Sequence, residues 1–555
     1  MISAKQVGPW FYASWFLLSL LQATTTGLFD DEAYYWVYSQ YLDWGYFDHP
    51  PMIAWLIKLG TSIFAGELGV RLIILLMGTA TIRLIELIVR PEQPKLFFSI
   101  ILSIAVLQIG GILAVPDTPL LFFTALFFLA YQRFSEKSGI LQSIVLSISI
   151  AALLYSKYHG ILIVLVALFA QRSLLKKWTT YLVIALSFFL YLPHIQWQIN
   201  HDYPSLQYQL FERLNPPFSI SFTTDYLLGQ LLIAGPLAGW IIIYAAIAHR
   251  PATATEKAMR WSIVFIYTFF LLSSFRTRTE ANWTIPLFVP LIVLSYRYLV
   301  HQQQLAKWVY RLMPVTVMLV LCLRIYLMMD IAPIKGLTKD EVHGNKEWVE
   351  TIRKKAAGNP VVFTDSYQRA SKYWFYTGEK SFSLNTARYR RSNYNYWPLE
   401  APIQSKSVYV VGSKGAVALT DTLQTMRGEF VGQRYGRFRS YSQIYLTAIE
   451  PMRIVNGRLE VTLLGDALNQ QVLDTALFHR PEIVLMIYKN TKEPPLVLPT
   501  GKRLFPDLKN LVFIRMPVKG LTEKTYTVRW GLTGSFPEPT INSQAYPLIN
   551  DEAEK

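Results

Sequence analysis

Up to about residue 330 the chain alternates long apolar stretches with short polar connections, and after that the pattern changes. About 20 apolar residues suffice to cross a bilayer, and roughly eleven such stretches occur. They lie near 9–29, 69–89, 96–114, 118–132, 139–155, 158–170, 179–199, 226–248, 259–275, 283–300 and 308–329. This pattern predicts a polytopic α-helical membrane domain over 1–330. Farther on, the apolar positions shorten into strand-like runs. Val361–Thr364 and Ser407–Val411 read as strands, with a helix from Asp365 to Tyr376 that ends at Gly378, so 331–448 is expected to form an α/β domain. Leu459–Leu463, Glu482–Tyr488, Leu511–Ile514 and Tyr526–Trp530 read as strands without strong helices between them, which predicts a small β-sandwich over 449–545. Residues 546–555 read as a disordered tail.

Composition supports the membrane reading: the 555 residues are 52% hydrophobic and 14% aromatic, with a mean hydropathy of +0.27. The formal net charge of +16 would suit nucleic acid, yet the basic residues are spread between apolar stretches instead of forming runs. Threading the stretches alternately puts Lys5, Arg90, Lys95, Arg133, Lys137, Lys176, Lys177, Arg250, Lys257, Arg260, Arg297, Lys307 and Arg311 on one side, together with Arg172, which answers only to topology. Lys58, Arg71, Lys157, Arg213, Arg276 and Arg278 fall on the other. The excess places the N-terminus in the cytoplasm and both C-terminal domains outside the cytoplasmic membrane. Lys5 precedes an apolar stretch with no cleavage pattern, so the first span reads as retained. The single Cys322 provides neither a disulfide framework nor a cysteine metal site.

The external connections hold nearly all the unusual chemistry. Asp30-Asp31-Glu32 follows the first span, and Asp48-His49-Pro50-Pro51 follows soon after. Asp30 or Asp31 suits a helix cap. Tyr34, Tyr38 and Leu42 then share a face that would lie along the membrane interface, Trp44-Gly45 ends the helix, and Pro50-Pro51 opens a second one running to about Phe64. Farther along come Asp117 between Pro116 and Pro119, then Lys157, His159, Arg276, Arg278 and Glu280. Cations on the side where orientation depletes them call for a negative partner. Glu280 stands at helical spacing from Arg276 and is expected to pair with it. The basic run Arg388–Tyr394 reads as an exposed loop. No tight ligand spacing such as His-Glu-x-x-His occurs, so neither an essential metal nor a cofactor is expected.

The Asp31-Glu32 pair, with Tyr46-Phe47-Asp48-His49-Pro50-Pro51 after it, resembles the first external loop of GT-C class membrane glycosyltransferases that use polyprenyl-phosphate sugars. In the protein O-mannosyltransferases a similar acid pair precedes a Phe-Phe-Asp-x-His-Pro-Pro run. In the lipid A aminoarabinose transferases the corresponding run is Tyr-Phe-Glu-Lys-Pro. The likeness covers roughly 1–330 and implies an inverting transfer of a sugar from a polyprenyl phosphate to a lipid, glycan or protein acceptor, with Asp31 as the catalytic base. It implies that Tyr34, Asp48, His49 and Asp117 contact substrate and that Glu32, also a substrate-binding candidate, orients the acceptor or Asp31 itself. Lys157, His159, Arg276 and Arg278 are the candidates to steady the departing phosphate, with Glu280 beside them. The chain departs from the aminoarabinose transferases in having His49 where they carry Lys and Tyr34 where they carry Arg, so the donor sugar is expected to differ. The competing reading is a transporter or flippase of lipid-linked glycans. It would place ionisable residues in mid-span, often with repeated halves, whereas here they gather at one face. Membrane lipids are expected partners and nucleic acid is not.

Overall fold

The computed structural model describes residues 4–208, 219–329, 340–416, 418–467, 479–489, 493–504, 511–518, 521 and 525–550. The chain forms two compact units, 1–203 with 215–330 and 204–214 with 331–555.

Each of the eleven apolar stretches coincides with a helix or a broken helix. In chain order the helices are α1 (Ala4–Thr25), α2 (Asp30–Gln40), α3 (Met52–Thr61), α4 (Gly66–Val89), α5 (Pro94–Ser103), α6 (Ala105–Gly110), α7 (Asp117–Glu136), α8 (Ile140–Ser156), α9 (Gly160–Ala170) and α10 (Trp178–Asn200). The short α11 (Pro204–Gln207) follows, and then α12 (Ile220–Ala234), α13 (Gly239–Ala248), α14 (Ala254–Ser274), α15 (Phe288–Leu299) and α16 (Gln303–Met328). Among the described residues α4, α10 and α16 are each long and apolar enough to cross a membrane alone, and α12 with α13 qualifies as a fourth, bent span. That pair turns by 92°. The turn is made at Gly235, whose φ of +131° carries no steric penalty only in glycine, and a Cβ there would stand 2.3 Å from the Ser103 carbonyl oxygen. The first unit is centred on α15, which is buried at every position from Phe288 to Tyr296, as expected for a helix apolar on all faces.

The second unit begins, among the described residues after 330, with α17 (Asn345–Ala356), followed by β1 (Val361–Thr364), α18 (Tyr367–Thr377), β2 (Phe382–Leu384), β3 (Val408–Ser413), β4 (Asp421–Thr425) and β5 (Gly428–Tyr435). The strands form a sheet in the order β2-β1-β3-β5-β4, parallel over the first three. The Ser366 hydroxyl caps α18 by accepting from the Arg369 N–H, and Gly378 ends it at φ +73°. The expected α/β arrangement is therefore present, but its boundary falls earlier than 448. The next strand, β6 (Ile444–Ala448), pairs antiparallel with β8 (Arg458–Ala467) of the following sheet. That sheet also contains β7 (Met452–Val455), β9 (Glu482–Tyr488), β10 (Leu496–Arg503), β11 (Leu511–Pro517), β12 (Thr525–Leu532), β13 (Thr540–Ile541) and β14 (Tyr546–Asn550).

Its strands follow the order β10-β9-β12-β14-β7-β8-β11. They form one hydrogen-bonded sheet and not the two separate sheets of the expected sandwich. The ten-residue β8 is long enough to pair with β6 and β7 at its two ends and with β11 along its other edge, which joins what would otherwise be two layers. Residues 546–550, expected to be disordered, are β14, paired with β12 and β7. Residues 551–555 lie outside the described residues.

Candidate active site

The loop between α1 and α4 is held by one buried ion pair. Three acids occupy the first turn of α2, where the positive end of the helix dipole favours them. Phe29 occupies the cap position, so neither Asp30 nor Asp31 caps the helix; instead the Phe29 N–H donates to the Glu32 carboxylate at 3.0 Å. Arg71 of α4 grips the same carboxylate with two nitrogens, Nε to Oε1 at 2.8 Å and Nη2 to Oε2 at 2.5 Å. The guanidinium also donates to the carbonyls of Thr26 at 2.5 Å and Gly27 at 2.8 Å. The Ala114 N–H completes the set at 2.8 Å from Oε1. Both side chains are fully buried. A paired, hydrogen-bonded arrangement is what makes burial of two charges tolerable. The bond to Ala114 ties the acidic loop to the turn that opens α7.

With its carboxylate occupied in this way, Glu32 positions the loop and has no surface left for a substrate. Tyr34, 1% exposed, is likewise interior: its ring meets the edge of Tyr38 at 4.8 Å, and Tyr38 stacks on Tyr46 at 4.0 Å. Asp31, one residue before Glu32 and so roughly 100° round the helix, is exposed. Leu42 is exposed as well, and Tyr34 and Tyr38 face the protein core, so the expected face of three does not form.

The turn carrying Asp48 and His49 is closed by the Tyr46 N–H, which donates to the His49 carbonyl at 3.1 Å. The His49 ring lies edge-on to Tyr35 at 5.7 Å. Asp48 is buried close to Tyr38, whose phenol is pushed well above its ordinary range by burial and, to a smaller degree, by Tyr34 and Asp48.

A second cluster gathers residues from three distant parts of the sequence. Asp117, the first residue of α7, accepts from Lys157 Nζ at 2.7 Å and from Asn282 Nδ2 at 3.1 Å. Asp117 and Lys157 are both buried. Two residues beyond Lys157, His159 packs against Trp283 and Phe270, each with ring centres 5.3 Å away. Asp117, Lys157 and His159 thus come together as neighbours of the 281–283 segment.

Arg276 and Arg278 are exposed. Arg278 Nε pairs with Glu280 Oε1 at 3.1 Å, whereas the sequence suggested Arg276. Residues 277–280 are not helical, so the i to i+4 geometry that would have favoured Arg276 is missing. Among the described residues Arg276 has no acidic partner. No group of three or more His, Cys, Asp or Glu that could hold a metal ion occurs among the described residues.

Spacing along the sequence did not reveal Arg71, Asn282 or a polar knot around His194. His194 Nδ1 lies 2.7 Å from the Trp44 carbonyl, and its Nε2 lies 3.2 Å from the Tyr158 hydroxyl. Only Arg71 left a trace, as a basic residue on the side where they are scarce.

Residues 48–197 match the family described as dolichyl-phosphate-mannose-protein mannosyltransferase. The match includes Asp48, His49, Asp117, Lys157 and His159 and stops short of Asp31. Crystal structures of ArnT from Cupriavidus metallidurans superpose on 78% of this chain and 98% of theirs. The TM-score is 0.53 at 11% identity for the apo state and 0.55 at 12% for the state bound to undecaprenyl phosphate. The fold is GT-C-like. A lipid A galacturonosyltransferase, RgtD of Rhizobium johnstonii, is 22% identical over 295 residues, which is 50% of this chain and 61% of that relative. The chain thus spans under two thirds of that relative's length. The resemblance to glycosyltransferases that use polyprenyl-phosphate sugars holds in both sequence and fold.

Proposed function

We propose that this protein is an inverting membrane glycosyltransferase that moves a sugar from a polyprenyl phosphate to a lipid, glycan or protein acceptor. The observation that carries the reading is the pairing of neighbours in α2: Glu32 is locked by Arg71 and two backbone N–H groups, and Asp31 beside it is exposed. A base must be held in place yet reach its proton, and this arrangement meets both needs. Asp31 takes the proton of an acceptor hydroxyl as that oxygen bonds to the anomeric carbon. The bond from that carbon to the phosphate oxygen breaks in the same displacement, which inverts the centre and releases polyprenyl phosphate. Asp48 and His49 hold donor groups near α2. Asn282 and Lys157 fix Asp117, leaving Arg276 as the exposed cation best able to meet the departing phosphate. A ligand of this type was seen in one ArnT crystal, bound to undecaprenyl phosphate.

In this reading the eleven helical stretches cross the cytoplasmic membrane, and the acidic loop and the second unit both lie outside. Reporter fusions after residues 92, 174 and 254 should be cytoplasmic and those after 335 external. A cytoplasmic reporter after 335 would overturn the assignment of the working face. Asp31→Asn should slow transfer by roughly 10²–10⁴-fold, the usual scale for a positioned base. Donor binding and the amount of protein in the membrane should hardly change. Near-normal turnover in the purified variant, supplied with a polyprenyl-phosphate sugar, would remove Asp31 from the base role.

A further inference from the structure

Between them α9 and α14 leave a cavity of about 640 Å³. α9 and α14 pack on each other, and the lining of the cavity runs from Leu162 along α9 to Arg172 just past its end, and from Lys257 to Phe265 on α14. The walls include Leu165, Phe169, Trp261 and Phe265, each at least 43% exposed. Arg172 and Lys257 also line it, and the Arg172 guanidinium lies 6.0 Å from the centre of the Phe169 ring. The volume lies in the range of ligand sites that bury most of a drug-sized molecule. An apolar channel flanked by two cations and open along the helix surface has the amphipathic profile of a lipid: hydrocarbon in the channel, negative headgroup at its charged end.

We infer that this groove binds an anionic phospholipid, its chains against Phe169, Trp261 and Phe265 and its phosphate held by Arg172 and Lys257. Charge complementarity selects that occupant. A zwitterionic lipid brings its own cation to the headgroup region and would gain less from two basic side chains, and a neutral one would leave them unmatched. Arg172 therefore does more than report topology. The inference does not depend on Asp31 or on the transfer reaction, since it rests only on the α9–α14 pair.

The test uses the full chain in phosphatidylcholine nanodiscs, with Trp261 as the reporter. Phosphatidylglycerol with brominated chains is titrated in, and the quenching lost in Trp261→Phe is taken as the Trp261 component. That component should be quenched at roughly tenfold lower mole fraction by brominated phosphatidylglycerol than by brominated phosphatidylcholine, in line with two cations near a headgroup. The Trp240 component, isolated in the same way, should show no headgroup preference. Arg172→Gln with Lys257→Gln should abolish the preference at Trp261. Equal quenching of Trp261 by the two brominated lipids in the unmodified protein would overturn the inference without recourse to any variant. Displacement of phosphatidylglycerol by equimolar polyprenyl phosphate would also overturn it, by assigning the groove to the donor lipid.

Discussion

Glu32 in the helical unit is fully buried and Asp365 in the C-terminal unit is half-buried, and the two carboxylates are compensated in different ways. Glu32 faces a guanidinium that meets both its oxygens. Asp365, with a left-handed φ of +53°, has neutral partners at hydrogen-bond distance: the Thr386 N–H at 2.8 Å and the Thr386 hydroxyl at 2.9 Å. The nearby cation, Arg388, is engaged with Glu538 at 2.6 Å. Burial, with a smaller contribution from Glu538, pushes the Asp365 carboxyl up to about 6 even though the Thr386 bonds and Arg388 pull it down. A buried acid opposite a cation is a fixed joint, whereas a half-buried one opposite neutral donors responds to pH.

The largest test of that contrast is to remove half of the first joint. Glu32→Gln leaves Arg71 buried without a counter-charge and should cost about 3–5 kcal/mol, the scale for breaking a buried pair. Thermal unfolding in detergent or loss of folded yield would register it. Adding Arg71→Met should recover much of the loss, because no charge then remains to be desolvated. A single variant as stable as the parent would show that the ion pair does not secure the loop.

Asp365 should behave in the opposite sense. Its folded-state value is raised, so between about pH 4, where an ordinary Asp ionises, and about pH 6 the folded state holds a proton that the unfolded state has released. Stability therefore falls as pH rises through that window, by at most roughly 3 kcal/mol, and levels off above it. Asp365→Asn should flatten the profile of the C-terminal unit's unfolding. A slope that persists in that variant would assign the pH response to another group.

Exposed charges provide the smallest contrast. If Arg276 meets the donor phosphate, Arg276→Gln should weaken donor binding or slow release of the phosphate by roughly 1.5–3 kcal/mol, the range for hydrogen bonds to charged groups. Arg278, exposed and tied to Glu280, should give up less than about 1 kcal/mol, as surface pairs usually do. Equal losses for the two arginines, measured by donor binding and single-turnover rate, would dissolve the distinction between them.

The parts of this structure legible in the sequence are those written in local pattern. Apolar length located eleven helical stretches of the first unit, capping and Pro-Pro signals pointed to α2 and α3, and alternation with Gly378 as a stop signal found β1, α18 and β3. The acid cluster after α1 could be located because acids beside an apolar run are unusual. What remained hidden depends on contacts between residues far apart in the chain. Glu32 and Arg71 are 39 residues apart, and Asp117 and Asn282 are separated by 165; no spacing rule connects either pair. Arg278 took Glu280 from Arg276 because the chain leaves the helix after α14, and a pairing rule built on helical geometry fails where the helix ends. The β-rich region was misread for a related reason: the strands were identifiable, but the length of β8 that merges them into one sheet matters only once their partners are known.

The position of β14 has a consequence for how this sheet is made. In sequence β14 comes after every other strand of the described residues, yet in space it lies between β12 and β7. Until the ribosome has released residues 546–550, the nascent chain can assemble only two half-sheets, β10-β9-β12 and β7-β8-β11, each with an open edge where β14 belongs. Unpaired edges of that kind readily recruit other strands. The newly made protein therefore passes through a period in which its C-terminal region is most open to mispairing, and that period ends when one five-residue segment inserts between the halves.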